Sequence, residues 1–222
     1  FGGLNPANNI KVNHNYTYHN LGQTGPNVEF GYKGSNDTMF ASNNYIVGGN
    51  PALKVRKWSG VTFTDNTIYS PHNLTYLQAP QGIQTSSYTW DNNTYFEGNV
   101  SAPFTSTLSP ATFSQWKTNF GIDANSTYNQ TPPTNNKVFV RPNIYEPGRA
   151  HIAIYNWDLK NEVYVNLTGI VSIGDRYEIW DVQNLGASSP LASGRYLGGN
   201  VKIPMNSSAT TPPNGRVPTY PS

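Results

Sequence analysis

The sequence predicts an all-β protein: a parallel β-helix of about four rungs followed by a small antiparallel β-sandwich. Three observations predict it. A short phrase built around one asparagine recurs four times in the first half. Apolar and polar residues alternate on both sides of that asparagine, as in half-buried strands. In the second half, strand-like runs are separated by turn residues at about ten-residue intervals.

The four phrases are IKVNHNYTYHN from Ile10, MFASNNYIVGG from Met39, VTFTDNTIYS from Val61 and YTWDNNTYFEG from Tyr88. Their shared residues are Asn15, Asn44, Asn66 and Asn93, spaced by 29, 22 and 27 residues. Repeats of this period mark coiled repeat folds. Asparagine tolerates a left-handed backbone, and its amide both donates and accepts. With strands about 4.8 Å apart, stacked turns bring these amides into hydrogen-bonding reach. The expectation is a buried ladder of Asn15, Asn44, Asn66 and Asn93. The preceding residues, His14, Asn43, Asp65 and Asn92, then face outward.

Shorter strands lie between the phrases. In NVEFGY (27–32), Val28 and Phe30 face inward and Glu29 outward; in ALKVRKW (52–58), Leu53 and Val55 face inward, with Lys54 and Arg56 outward. LTYLQAP (74–80) fills the same place less clearly in the next rung. Gly31, Gly34, Gly48, Gly49, Gly60, Pro51 and Pro71 supply the corners.

ATFSQWKTNFGIDANS (111–126) reads as a short helical segment, and TYNQTPPTNN (127–136) as a connector. The sandwich is expected over 137–206, from KVFVRP, AHIAIYNW, EVYVNLTG, DRYEIWDVQN and NVKIPM. The Pro-, Thr- and Ser-rich tail, 207–222, reads as extended.

The Asn phrases, the segment from Ala111 and the run KVFVRPNIYEPGRAHIAIYNWD resemble the C-terminal part of secreted right-handed parallel β-helix proteins, the pectate-lyase-like superfamily. The resemblance covers most of the chain. It implies a right-handed coil, an extracellular address and an association with polysaccharide. That superfamily includes lyases, hydrolases, esterases and tail spikes, so no single activity follows. In its lyases Ca²⁺ is held by several carboxylates and an Arg or Lys acts as base. Ca²⁺ is therefore expected only if a lyase site exists; no other cofactor is implied.

Composition agrees with an extracellular β-protein. Of 222 residues 12% are charged and none is Cys, against about 25% charged in ordinary soluble domains. Asn, Thr, Ser, Tyr and Gly stand in their place. The net charge of +2 and the lack of a basic cluster argue against nucleic acid. No apolar run reaches the roughly 20 residues of a membrane span. The chain opens mid-rung on FGGLNP, which reads as a processed end. An uncapped first rung is expected to be an edge open either to self-association into filaments or to further upstream rungs.

N-glycosylation sequons start at Asn15, Asn36, Asn73, Asn92, Asn99, Asn125, Asn129, Asn166 and Asn206. As a ladder residue, Asn15 is expected buried and bare; the other eight are the acceptor candidates.

Candidate chemistry is sparse. The rung carboxylates are Glu29, Asp37, Asp65, Asp91 and Glu97, with Asp65 and Asp91 at or near turns. His14, His19, His72 and His151 lack metal-binding spacing, and no metal site is expected. Glu29, Lys54 and Arg56 share an outward face, with Tyr32 and Trp58 placed to stack on a sugar; the competing reading is a surface ion pair. Three functions follow: a secreted protein that binds or processes extracellular polysaccharide, as a fragment lacking a complete active site; a structural extracellular glycoprotein with the coil as a rigid rod; or a non-catalytic glycan-binding adhesion module.

Overall fold

The computed structural model describes residues 5–21, 24–82, 84–107 and 109–206. They form two compact units, divided between Pro133 and Thr134. The expected extended tail, 207–222, and Phe1 lie outside the described residues.

The first unit winds through three parallel sheets, contributing one strand to each on every turn. The first turn is β1 (Ile10–Asn13), β2 (Tyr16–Tyr18) and β3 (Val28–Phe30). The second is β4 (Asn36–Ser42), β5 (Tyr45–Val47) and β6 (Leu53–Arg56), and the third β7 (Trp58–Thr64), β8 (Thr67–Ser70) and β9 (Thr75–Gln78). The fourth is β10 (Thr89–Asp91), β11 (Thr94–Glu97) and β12 (Phe104–Ser106). Sheet one is β1-β4-β7-β10; sheet three is β3-β6-β9-β12, ended by antiparallel β13 (Pro110–Ala111). After helix α1 (Phe113–Phe120), β14 (Thr127–Asn129) extends sheet two, β2-β5-β8-β11. The segment expected as a connector therefore begins with a strand of a fifth turn.

Alternation buries one side chain of each pair, and register stacks like on like. Val12, Ala41, Phe63 and Trp90 form one inward column, and Ile46, Ile68, Tyr95 and Tyr128 another. Val28, Leu53, Thr75 and Phe104 form a third. Helix α1 starts at a capping box between Thr112 and Gln115 and stops at Gly121, at φ 62°. Its one buried residue, Trp116, packs edge-on to Trp90 and against Phe104.

The corner between sheets one and two is always two residues: His14-Asn15, Asn43-Asn44, Asp65-Asn66 and Asn92-Asn93. The left-handed residue is the first of each pair, with φ of 56°, 56°, 58° and 58°. This corrects the expectation that the ladder asparagine itself takes that conformation. Asn, Asp and His are the residues that enter this region most readily apart from Gly. The second residue is not left-handed, and in the stacked turns its amide is turned inward.

Those amides form the ladder. Asn15 Nδ2 donates to Asn44 Oδ1 at 3.0 Å, Asn44 Nδ2 to Asn66 Oδ1 at 2.8 Å, and Asn66 Nδ2 to Asn93 Oδ1 at 3.1 Å. Each acceptor oxygen also takes the backbone N–H of the asparagine below, at 2.9, 3.0 and 3.0 Å. Asn44, Asn66 and Asn93 are buried, whereas Asn15 is exposed. The expectation of a buried Asn15 fails because, among the described residues, no turn stacks beneath it.

The second unit is antiparallel. Strand β15 (Lys137–Pro142) pairs with β16 (Ala150–Tyr155). Strands β17 (Glu162–Asn166), β18 (Arg176–Ile179), β19 (Ala192–Arg195) and β20 (Asn200–Pro204) form the pairs β17-β20 and β18-β19. These three ribbons share a core of Val165, Leu167, Tyr196, Val201 and Ile203, onto which Val138, Val140, Ile152 and Ile154 pack.

Candidate functional site

The outward face of sheet three gathers most of the expected sugar-facing residues. With Val28, Phe30, Leu53, Val55 and Leu77 buried, the intervening side chains point away from the core. Register places Glu29, Lys54, Tyr76 and Thr105 in one row and Arg56 beside Gln78 in the next. Arg56 Nη1 lies 3.0 Å from Glu29 Oε1, and Lys54 Nζ 3.7 Å from the same oxygen. These pairs are partly solvated, and such pairs contribute about 0–1 kcal/mol. They order the row without holding the coil together.

Two tyrosine rings meet cations on this face. The Arg56 guanidinium lies 5.8 Å from the Tyr32 ring centroid, with Lys33 Nζ also at 5.8 Å; Lys54 Nζ lies 5.7 Å from the Tyr76 ring. Tyr32 is 47% exposed. It follows Gly31, whose φ is +83° and whose added Cβ would come 2.0 Å from the Arg56 carbonyl oxygen. Only glycine permits that approach. Lys57 joins the group by donating to the Lys33 carbonyl at 3.0 Å.

Trp58 does not belong to this face. It is fully buried in the coil. The corner between β6 and β7 is the single residue Lys57, left-handed at φ 58°. That residue resets the alternation, so Trp58 points inward instead of continuing the outward series of Lys54 and Arg56. Tyr76 and Lys33 are members of this face that the sequence expectation does not include. Tyr76 was legible from the Glu29–Lys54 pairing extended by one turn.

The top of the ladder is a buried polar cluster. In the fifth turn Ser126 stands at the ladder position, and its Oγ accepts the Asn93 N–H at 2.7 Å. Asn93 Nδ2 instead donates to Asp123 Oδ1 at 3.2 Å. The Asp123 carboxylate also accepts from Trp116 Nε1 at 2.7 Å, Ser126 Oγ at 2.5 Å and Tyr95 OH at 3.0 Å. Trp90 Nε1 donates to Tyr95 OH at 2.9 Å. Burial raises the Asp123 pKa above its ordinary value despite the donors from Ser126, Trp116, Asn93 and Tyr95. Burial and the Asp123 charge push Tyr95 well up, and burial takes Tyr88 to about 12. Asp91 behaves oppositely: some burial opposes ionisation, but the backbone and side-chain amides of Asn125 hold its carboxyl below the usual range. These groups are saturated by their neighbours, which makes them structural.

The sequons differ in access. Asn36 is buried; its Oδ1 accepts from Ala7 N at 3.0 Å and its Nδ2 donates to Arg56 O at 3.3 Å. It therefore leaves the set of sites with room for a sugar. Asn73 is half-buried and donates to Asn50 Oδ1 at 3.1 Å. Asn92, Asn99, Asn125, Asn129, Asn166 and Asn206 are exposed. Asn125 Nδ2 is bonded to Asp91 Oδ2 at 2.7 Å and Asn129 Nδ2 to Tyr95 O at 3.3 Å.

Among the described residues no cluster of three or more His, Asp or Glu side chains is placed to hold a metal, and no helix is long and apolar enough to cross a membrane. Compared with known proteins, the chain matches no family model, no curated sequence and no solved structure.

Proposed function

We propose that the first unit is a right-handed parallel β-helix, that the second is a small β-sandwich, and that the protein is secreted and binds extracellular anionic polysaccharide on sheet three. One observation carries this reading: Tyr32, after the first turn's β3, and Tyr76, in the third turn's β9, each lie beside cationic side chains, among them Arg56 and Lys54 of the turn between. Aromatic rings take the apolar faces of pyranose rings. Lys33, Lys54, Arg56 and Lys57, opposed locally by Glu29, supply the charge for carboxylated sugars. In the bound state a uronate carboxylate shares Arg56 with Glu29 through the bidentate geometry arginine favours.

The test is titration of the full chain with oligogalacturonate and alginate oligosaccharides. The double variant Lys54→Ala with Arg56→Ala should weaken binding by about tenfold or more, the equivalent of about 1.4 kcal/mol. Undiminished binding by that variant would end the assignment. Turnover of the same polymer, abolished by the same variant, would extend the reading to an enzyme.

A second reading, a structural extracellular rod, draws on the ladder. Asn15 is exposed, and β1, β2 and β3 pair on one side only among the described residues. Such edges are templates for further strands. Concentration-dependent lengthening in sedimentation and electron microscopy supports this reading; a monodisperse monomer at high concentration removes it.

A further inference from the structure

The second unit carries a site of a different kind. An open groove of about 490 Å³ runs beside the starts of β15 and β17. Val138 and Val163 give it apolar lining, and Asn136, Lys160, Asn161, Glu162 and Tyr164 give it polar lining. Its volume falls in the range of small-molecule sites, which combine apolar surface with a few placed polar groups.

Alternation along β17 creates the arrangement. Val163 and Val165 are buried, so Glu162 and Tyr164 stand on the opposite face. Across the ribbon, Lys202 pairs in register with Tyr164. The Tyr164 hydroxyl donates to Glu162 Oε1 at 2.9 Å, and Lys202 Nζ lies 3.2 Å from Glu162 Oε2. Each carboxylate oxygen is thus anchored once and keeps a lone pair. The Tyr164 ring, 57% exposed, is held in place without being covered. A fixed ring beside a fixed carboxylate lowers the ordering cost of binding.

We propose that this groove binds a neutral pyranose residue, with Tyr164 under the sugar's C–H face and Glu162 accepting from two adjacent hydroxyls. The asparagines complete the hydroxyl-directed lining. The lining holds one cation, Lys160, and one carboxylate, Glu162, which sets the groove apart from the cation-rich face of sheet three. The two sites share no residue, and neither assignment depends on the other.

The test uses the full chain and calorimetric titration with gluco-, manno-, galacto- and xylo-oligosaccharides, alongside oligogalacturonate. At least one neutral oligosaccharide should bind saturably. Tyr164→Ala and Glu162→Gln should each weaken it by about tenfold or more, while Lys54→Ala with Arg56→Ala leaves it unchanged. Because Tyr164 is exposed, its variant should keep the wild-type melting temperature, which separates lost binding from lost fold. The proposal is overturned if no neutral oligosaccharide binds, if binding survives Tyr164→Ala, or if only oligogalacturonate binds in a Tyr164-dependent way.

Discussion

At the scale of single residues, each interior ladder asparagine is worth more than its side chain suggests. Asn66 Oδ1 accepts two donors from Asn44, while Asn66 Nδ2 donates to Asn93 Oδ1 and to the Ala41 and Thr64 carbonyls. Removing it strands several buried groups, each at about 1–3 kcal/mol. Asn66→Ala should cost about 3–5 kcal/mol in urea unfolding, whereas Asn15→Ala, at the exposed foot, should cost less than about 1 kcal/mol. Equal losses would show that the ladder is not cooperative. Asp123 adds a pH signature. Its folded pKa is raised, so folding takes up a proton in the window just above the ordinary carboxylate value of 3.8. Its contribution is full below that value and declines as pH rises through the folded pKa. The stability advantage of wild type over the non-titrating Asp123→Asn should therefore shrink as pH rises through this window, then level off. An advantage that grows instead would mean the carboxylate is favoured by its donors over burial.

At the scale of elements, corners decide which side of a strand faces in. The left-handed residue before each ladder asparagine makes a sharp prediction for Asp65. Asp65→Gly should be nearly neutral, while Asp65→Val should cost about 1–2 kcal/mol, because a β-branched side chain resists positive φ. Thermal melts of the two variants will compare them directly. Corners also explain what could be read beforehand. The sheet-one to sheet-two corner was legible because its Asn recurs at fixed position within flanking alternation. The Lys57 corner is not, since lysine carries no turn signal, and uninterrupted alternation carries Trp58 to the outward face. The ladder's end was hidden for a similar reason: Ser126 and Asp123 divide between them the task that one asparagine performs elsewhere. Strand β19, Ala-Ser-Gly-Arg, lacks alternation and is defined only by its partner β18.

At the scale of the whole molecule, net charge is a poor guide to partners. The chain carries only +2 overall, yet Lys33, Lys54, Arg56 and Lys57 converge on one face against a single neighbouring glutamate. Bringing these residues together requires the register of two successive turns, which composition does not report. Screening weakens attraction between solvent-exposed charges. Affinity for oligogalacturonate should fall as salt rises, and more steeply for wild type than for Lys54→Ala with Arg56→Ala. Parallel slopes would place the polymer elsewhere. The constant two-residue corner has one last consequence. The variation in the 29-, 22- and 27-residue intervals falls mainly in the other two corners, with a smaller share in strand length. A guest peptide grafted after Ser101, between β11 and β12, would protrude as a solvent loop. The same graft between Asp65 and Asn66 would sever the coil's spine, so this scaffold offers one side for display and one that tolerates no cargo.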